Sequence, residues 1–554
     1  MSYPDWTARG DGAGYHRGLA PLGLEPVAGR LIDQLMPGLN NVTWRVRYYS
    51  FFSWALWTFW EQTRDRPDVR TDRAQARWLV RMENVFRLAT LYADKRDGRQ
   101  TWGLVGIDKA GPRGVPGSDQ PDAPVDVAEE YAATAFVPAA YRASFTGLGC
   151  AESYPGSVDL TARTGVPLAR AFHEAVLAVP DAEARHLLLS DANVVPARVI
   201  HAVADAVRMR SVPAPTAENR LLTDLFFRVE QPREREDLQE LDRRRTRSFT
   251  LLLYILEQAD RSLTQRDFHR IFAGGYLPNG RRVDIPRPLR ESWSLWRGYQ
   301  EREFQRVALY GFLYAIIPLI EEQESRLGGA RARSLADAMW KAAQESEIAP
   351  RWLGAPWAEL TVGQAQRALL HRLDRTGVDP EWSLESLASY VSGVKQRSEV
   401  VAGSLLLFLL VTAYWSEVQT ARSPREREIH EAGRAARLSL AHVTRETATR
   451  SGDSLRALTD WLVETCVLSQ LLSVAVQKLA ADPKAYRFFV AMGDEGYTVV
   501  KAPADGRFYY PPRIGPALHM LGELELLEYG ERDEIALREA GARHLAACLQ
   551  FLDA

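Results

Sequence analysis

Between its ends the chain alternates apolar helical runs with charged segments, and the pattern reads as mainly α. Residues 1–30, rich in glycine and proline, form an irregular leader. Pro37-Gly38 ends a short apolar turn at 31–35, and Asn40 or Asn41 is placed to cap a helix running through Trp60. Tyr48, Tyr49, Phe51, Phe52, Trp54, Trp57, Phe59 and Trp60 cover every face of that helix, as enclosure by protein requires. A second helix is expected at about 74–92, and the Gly-, Pro- and Asp-rich stretch 110–124 reads as a loop. Apolar helices follow at 248–259 and 293–321, beyond a Pro-rich linker at 211–219. Residues 422–450 read as a solvated Arg/Glu-rich helix opened by Ser423-Pro424. Val400–Ser416 is the one membrane candidate; its seventeen uncharged residues fall short of the roughly 20 a span needs, so a buried core helix is expected.

Two segments share another pattern. Residues 148–176 read as strand, Pro-Gly turn, strand and helix, and 524–552 repeat that order, with Leu160 through Gly165 paralleling Leu537 through Gly541. Both resemble the wing and final helix of a winged helix. Upstream of the second, 486–491 and 497–501 read as a hairpin, and Pro511-Pro512 precedes a helix at about 514–526, where a recognition helix would sit. The expected architecture is therefore a multidomain helical protein with a C-terminal winged-helix-like module and a second wing-like unit near 131–176. The expected divisions are the leader at 1–30, an N-terminal helical domain at 31–210, a central helical body at 220–450 and the winged-helix-like domain at 451–554.

Length supports several domains: 554 residues exceed the roughly 250–300 that one core serves. With 46 % hydrophobic residues, 25 % charged residues and a net charge of −2, disordered and collagen-like classes are excluded. Three cysteines, Cys150, Cys466 and Cys548, make neither a disulfide framework nor a four-thiolate metal site and point to a reducing compartment. The N-terminus lacks the apolar run of a signal peptide, which makes the cytoplasm the expected location. Balanced charge leaves nucleic-acid binding to local patches.

Catalytic signatures are missing locally. The sequence has no P-loop, no H-E-x-x-H and no G-x-S-x-G, and none of its seven lysines has a glutamate two positions before it. No metal site, cofactor or catalytic residue is assigned.

Positive charge is carried almost entirely by arginine, which suits bidentate contacts to phosphate and carboxylate. Arg45 and Arg47 stand near the start of the aromatic helix, where its dipole disfavours cations. Either a buried carboxylate such as Glu83 pairs with them, or they form an anion site with Tyr48 or Tyr49 stacking on a base. For nucleic acid, the candidate contacts are Arg243, Arg244, Arg245 and Arg247, the helix around Arg434 and Arg437, and Arg513 on the C-terminal module. Acidic residues beside the second wing (Glu523, Glu525, Glu528, Glu531, Asp533, Glu534) favour the central arginines over that module as the phosphate-binding surface.

Pro37, Gly38, Leu39, Thr43, Arg45, Arg47, Tyr48 and Tyr49 together resemble a Pro-Gly-Leu…Thr-x-Arg-x-Arg-Tyr-aromatic motif of uncharacterised bacterial proteins encoded near phage-defence genes. The likeness covers about 25 residues, and WRGYQEREFQRVALYGFLYAI is similar to helices in such proteins. The resemblance implies a setting: a non-enzymatic recognition or scaffold subunit of a defence system, binding other defence proteins or nucleic acid and not a membrane. The alternative is a nuclease or other nucleic-acid-modifying hydrolase with a site assembled from dispersed residues.

Overall fold

The computed structural model describes residues 21–39, 43, 45–99, 101, 116–128, 140–154, 157–209, 212–230, 232–374, 378–431, 438–481, 489–500 and 513–553. These are mainly helical. In chain order the helices are α1 (Glu25–Leu35), α2 (Arg47–Gln62), α3 (Asp72–Arg96), α4 (Ala140–Gly147), α5 (Gly165–Leu177), α6 (Ala182–Leu189), α7 (Ala197–Val207), α8 (Ala217–Phe227), α9 (Glu236–Gln258), α10 (Gln265–Gly274) and α11 (Arg290–Leu327). They continue with α12 (Ala332–Gln344), α13 (Ile348–Leu353), α14 (Val362–Arg372), α15 (Leu384–Gly393), α16 (Arg397–Val418), α17 (Pro424–Glu431), α18 (Leu440–Thr449), α19 (Leu455–Trp461), α20 (Gln470–Ala481), α21 (Ile514–Glu523) and α22 (Glu539–Asp553). A π-helical stretch, Leu462–Ser469, joins α19 to α20.

Among the described residues eight short strands form four antiparallel pairs: β1 (Pro124–Asp126) with β4 (Val194–Pro196), β2 (Ala151–Tyr154) with β3 (Ser157–Leu160), β5 (Val490–Gly493) with β6 (Gly496–Val499), and β7 (Leu527–Tyr529) with β8 (Ile535–Leu537).

The described chain divides into two compact units. One holds residues 21–35 and 258–515, the other 36–257 and 516–553. These boundaries differ from the expected ones near 210–220 and 450. The Pro-rich segment is tied into the second unit: the Asn219 side chain donates to Val212 O (2.9 Å) and Leu524 O (3.1 Å), and Thr216 caps α8. Prolines there shape an internal turn rather than separate two cores.

The first unit is built around α11 and α16. Val400 through Trp415 are buried on all sides of α16, because a helix without a polar face can be stable in water only as a core element. By length and composition, three helical stretches among the described residues are long and apolar enough to cross a membrane, where the sequence suggested one: Arg287–Leu327, Arg397–Ala421 and Leu455–Ala480. In the first two the most apolar window is 89 % and 94 % buried within the protein.

The second unit contains a helix–hairpin–helix arrangement twice. In the first copy α4 ends at Gly147, Gly149 turns left-handed (φ 79°), Cys150 leads into β2–β3, and α5 follows. In the second, α21 ends at Glu523, Glu525 is left-handed (φ 59°), Leu526 leads into β7–β8, and α22 follows. The hydrogen bonds correspond: Cys150 N to Phe145 O and Leu526 N to Leu521 O, then Thr161 N to Cys150 O and Arg538 N to Leu526 O. Gly165 and Gly541 open the closing helices so tightly that a Cβ would stand 2.1 Å from Cys150 O and 2.2 Å from Leu526 O. Helix α8 bridges the copies, Asn219 donating to Leu524 O and Arg228 to Leu148 O (2.5 Å).

Candidate functional site

The arginine motif lies wholly inside the second unit. Helix α2 starts at Arg47, later than the expected cap at Asn40 or Asn41, which lie outside the described residues. Its N-terminal backbone is instead met by a carboxylate from far along the chain: Glu523 of α21 accepts from Val46 N (2.8 Å) and pairs with Arg45 Nε. Arg45 also donates to Met209 O (2.9 Å). Arg47 pairs with Glu218 of α8 (3.2 Å), whose carboxylate accepts from Ser50 Oγ as well (2.6 Å). Burial alone would raise the Glu523 carboxyl, but Arg45, His519 and the Val46 N–H together hold it below the ordinary range. Glu218 was not singled out from sequence, and Glu523 was read only as a wing-side acidic residue, since they stand 171 and about 480 positions from their partners. Glu83, the carboxylate expected there, is buried on α3.

Tyr48 and Tyr49 are 1 % and 0 % exposed. Tyr48 stacks on Phe52 at 5.4 Å, and Tyr49 meets Phe226 edge-on at 5.4 Å. Rings so enclosed cannot stack on a base, which corrects the anion-site alternative.

The central arginines are also largely committed. Arg245, fully buried, donates to Phe226 O (2.9 Å), Pro37 O (2.9 Å) and Leu225 O (3.3 Å) and pairs with Asp242 (2.6 Å). It is a core residue and not a phosphate contact. Arg244 and Arg247 share Glu240 (3.0 and 3.5 Å), and exposed Arg243 lies over the Phe551 ring at 5.9 Å. Arg513 is buried, with its backbone N donating to Tyr299 Oη (3.3 Å), so its side chain does not stand on an open recognition surface. Arg434 and Arg437 lie outside the described residues.

A common pattern runs through these sites: arginines finish helix C-termini, whose last carbonyls have no partner within the helix. Arg47 reaches Ala206 O and Arg208 O at the end of α7, and Arg245 reaches the end of α8. Arg81 donates to Leu187 O (3.0 Å) and Leu188 O (2.8 Å) of α6, and Arg297 to Phe272 O (3.1 Å) and Ala273 O (3.2 Å) of α10.

In the first unit a charged cluster escaped the sequence reading. Gln300, Glu301, Arg302, Glu303, Gln305 and Arg306 of α11 are all buried. Glu301 pairs with Arg422 (2.5 Å) and accepts from His430 Nε2 (2.6 Å); burial pushes its carboxyl up, but these partners bring it down to about 2. Burial lowers His430, against the opposing pull of Glu301. The signal was present as the string EREFQR inside an otherwise apolar helix.

A small cleft in the same unit is lined by Arg270, Tyr276, Asp374, Ser383, Glu385 and Tyr414 among others, with about 30 Å³ of space, enough for water. Burial raises the Glu385 carboxyl, opposed by a hydrogen bond from Ser389 and by Arg270 and Arg266. The three cysteines are buried, and burial pushes Cys150 and Cys548 up to about 12, which keeps them as unreactive thiols. Among the described residues no group of three His, Cys, Asp or Glu side chains is placed to hold a metal ion. Comparison with protein-family models, with curated proteins and with solved structures yields no match.

Proposed function

We propose that this protein is a non-enzymatic recognition or scaffold subunit of a bacterial anti-phage defence system, working in the cytoplasm through protein partners. The setting rests on the Pro37–Tyr49 motif. The observation that favours protein over nucleic acid as partner is the internal use of the arginines: Arg245 has no exposed surface, and Arg244 and Arg247 face Glu240. We read the two helix–hairpin–helix copies as winged-helix-like, with the second hairpin acidic at Glu528, Glu531, Asp533 and Glu534, all exposed. Such a wing repels phosphates and suits a basic protein surface.

The test is co-purification of the tagged full-length chain with the products of its neighbouring genes, alongside binding of duplex and single-stranded DNA at two salt concentrations. A defined complex that forms with a neighbouring product, and weakens when Glu528, Glu531, Asp533 and Glu534 are changed to glutamine, supports the reading. DNA binding that falls steeply with salt and is unaffected by those four changes overturns it in favour of nucleic acid. Hydrolysis of DNA by the purified chain that is lost in Glu385→Gln favours the hydrolase.

A further inference from the structure

Most of the charged side chains buried in α11 have an opposite charge within reach among the described residues. Glu301 is held by Arg422 and His430, Glu303 by Arg306, and Gln305 donates to Leu438 O (2.7 Å). Arg302 is 5 % exposed, and among the described residues its Nη1 has no hydrogen-bond partner. Two charged groups act on its guanidinium: Glu303, already engaged by Arg306, and Arg30 of α1, which has the same sign. Burial, with Arg30 adding to it, lowers Arg302 to about 10 against the pull of Glu303.

A buried guanidinium without a hydrogen-bonded counter-charge is costly. Arg81 and Arg245, by contrast, place their guanidinia on carbonyls and, for Arg245, on a carboxylate. Arg302 has neither. Arg30 is only partly buried, so the pair runs from the interior toward solvent. An anion between two guanidinia converts their repulsion into attraction, and the planar guanidinium fork matches the oxygen spacing of a phosphate group.

We propose that Arg302 and Arg30, where α1 packs on α11, form a binding site for a phosphate group. The group reaches the site either as free phosphate or carried on a nucleotide. The site is separate from the partner surface of the proposed scaffold and requires no catalysis.

Thermal unfolding of the full-length chain tests this, with chloride replaced at constant ionic strength by inorganic phosphate or by a nucleoside triphosphate without added metal. At about 10 mM of either probe, wild type is expected to gain about 2 °C or more. A gain with inorganic phosphate identifies the free ion as sufficient, and a gain confined to the triphosphate identifies a nucleotide-borne phosphate. Arg302→Met keeps the side-chain bulk and removes the buried charge; it is expected to melt no lower than wild type in chloride and to lose the gain. Arg30→Gln, at a partly exposed position, is expected to lose it too, and decides the matter if Arg302→Met does not fold. No gain in wild type with either probe overturns the site, as does a gain retained by either folded variant.

Discussion

Removing the Arg45 guanidinium should leave one of the most enclosed carboxylates in the second unit without its counter-charge. Arg45 is 7 % and Glu523 4 % exposed. Breaking a buried pair by deleting one partner costs about 3–5 kcal/mol, because the surviving charge remains desolvated. Arg45→Ala should therefore lose about that much in urea unfolding of the full-length chain. Glu523→Gln retains an acceptor for Val46 N and should cost less. In Arg45→Ala/Glu523→Gln neither charge remains, so its cost should fall short of the summed single costs by about 2 kcal/mol. The acid limb provides a second readout. The folded-state Glu523 carboxyl lies below its ordinary value, so its stabilisation is complete above the unfolded pKa of about 4.3 and is lost as pH falls through the lower folded value. Without Arg45, burial carries more weight and the carboxyl moves upward, making Arg45→Ala less sensitive to acid than wild type. Additivity of the two single variants within about 0.5 kcal/mol, together with an unchanged acid limb, would refute the ion-pair account.

Three further outcomes are expected. Gly165→Ala and Gly541→Ala should each destabilise by about 1–3 kcal/mol, since the new methyl meets a backbone carbonyl that cannot swing aside; thermal melts that are unchanged for either would contradict the matched geometry of the two copies. Arg245→Met should cost about 3–5 kcal/mol, whereas replacing Arg243, Arg244 and Arg247 together with glutamine should stay within about 1 kcal/mol of wild type; equal costs in chemical unfolding would remove the distinction between core and surface arginines. Glu301 is held at about 2 against a reference of 4.5, so it contributes about 3 kcal/mol above pH 4.5 that disappears as pH falls toward 2. Glu301→Gln should flatten that part of the stability curve, and an unaltered acid transition would sink the assignment.

Local patterns made much of the helical framework legible. Helix α16 and the aromatic part of α2 are apolar on every face, and such a run signals burial wherever its neighbours come from. The hairpin repeat was readable for a related reason: a strand-ending leucine followed within a few residues by glycine is a short-range requirement, and Gly165 and Gly541 sit against the carbonyls of Cys150 and Leu526 to satisfy it. Division into units was not readable, because residues 516–553 return to join 36–257 and no composition shift records that return. The start of α2 was misplaced for the same reason. Its N-terminal acceptor is Glu523, remote in sequence, and the cap residue Val46 makes no side-chain cap bond.

Arginine content was the least decodable signal, and the structure gives it a physical reason. A guanidinium has five donors in a fixed plane and can satisfy two or three carbonyls at once, which lysine cannot do from a single ammonium. In a protein assembled from many short helices, each C-terminus leaves carbonyls unpaired, and burying those ends requires donors from other elements. Arg47, Arg81, Arg245 and Arg297 supply them, each at the end of a different helix. The same residue type that elsewhere marks a phosphate-binding face therefore serves here to close helix ends inside the core. That use makes the basic run at 243–247 a poor guide to a ligand. It also sets Arg302 apart, because its guanidinium is enclosed as deeply as these, yet Nη1 meets no carbonyl or carboxylate among the described residues.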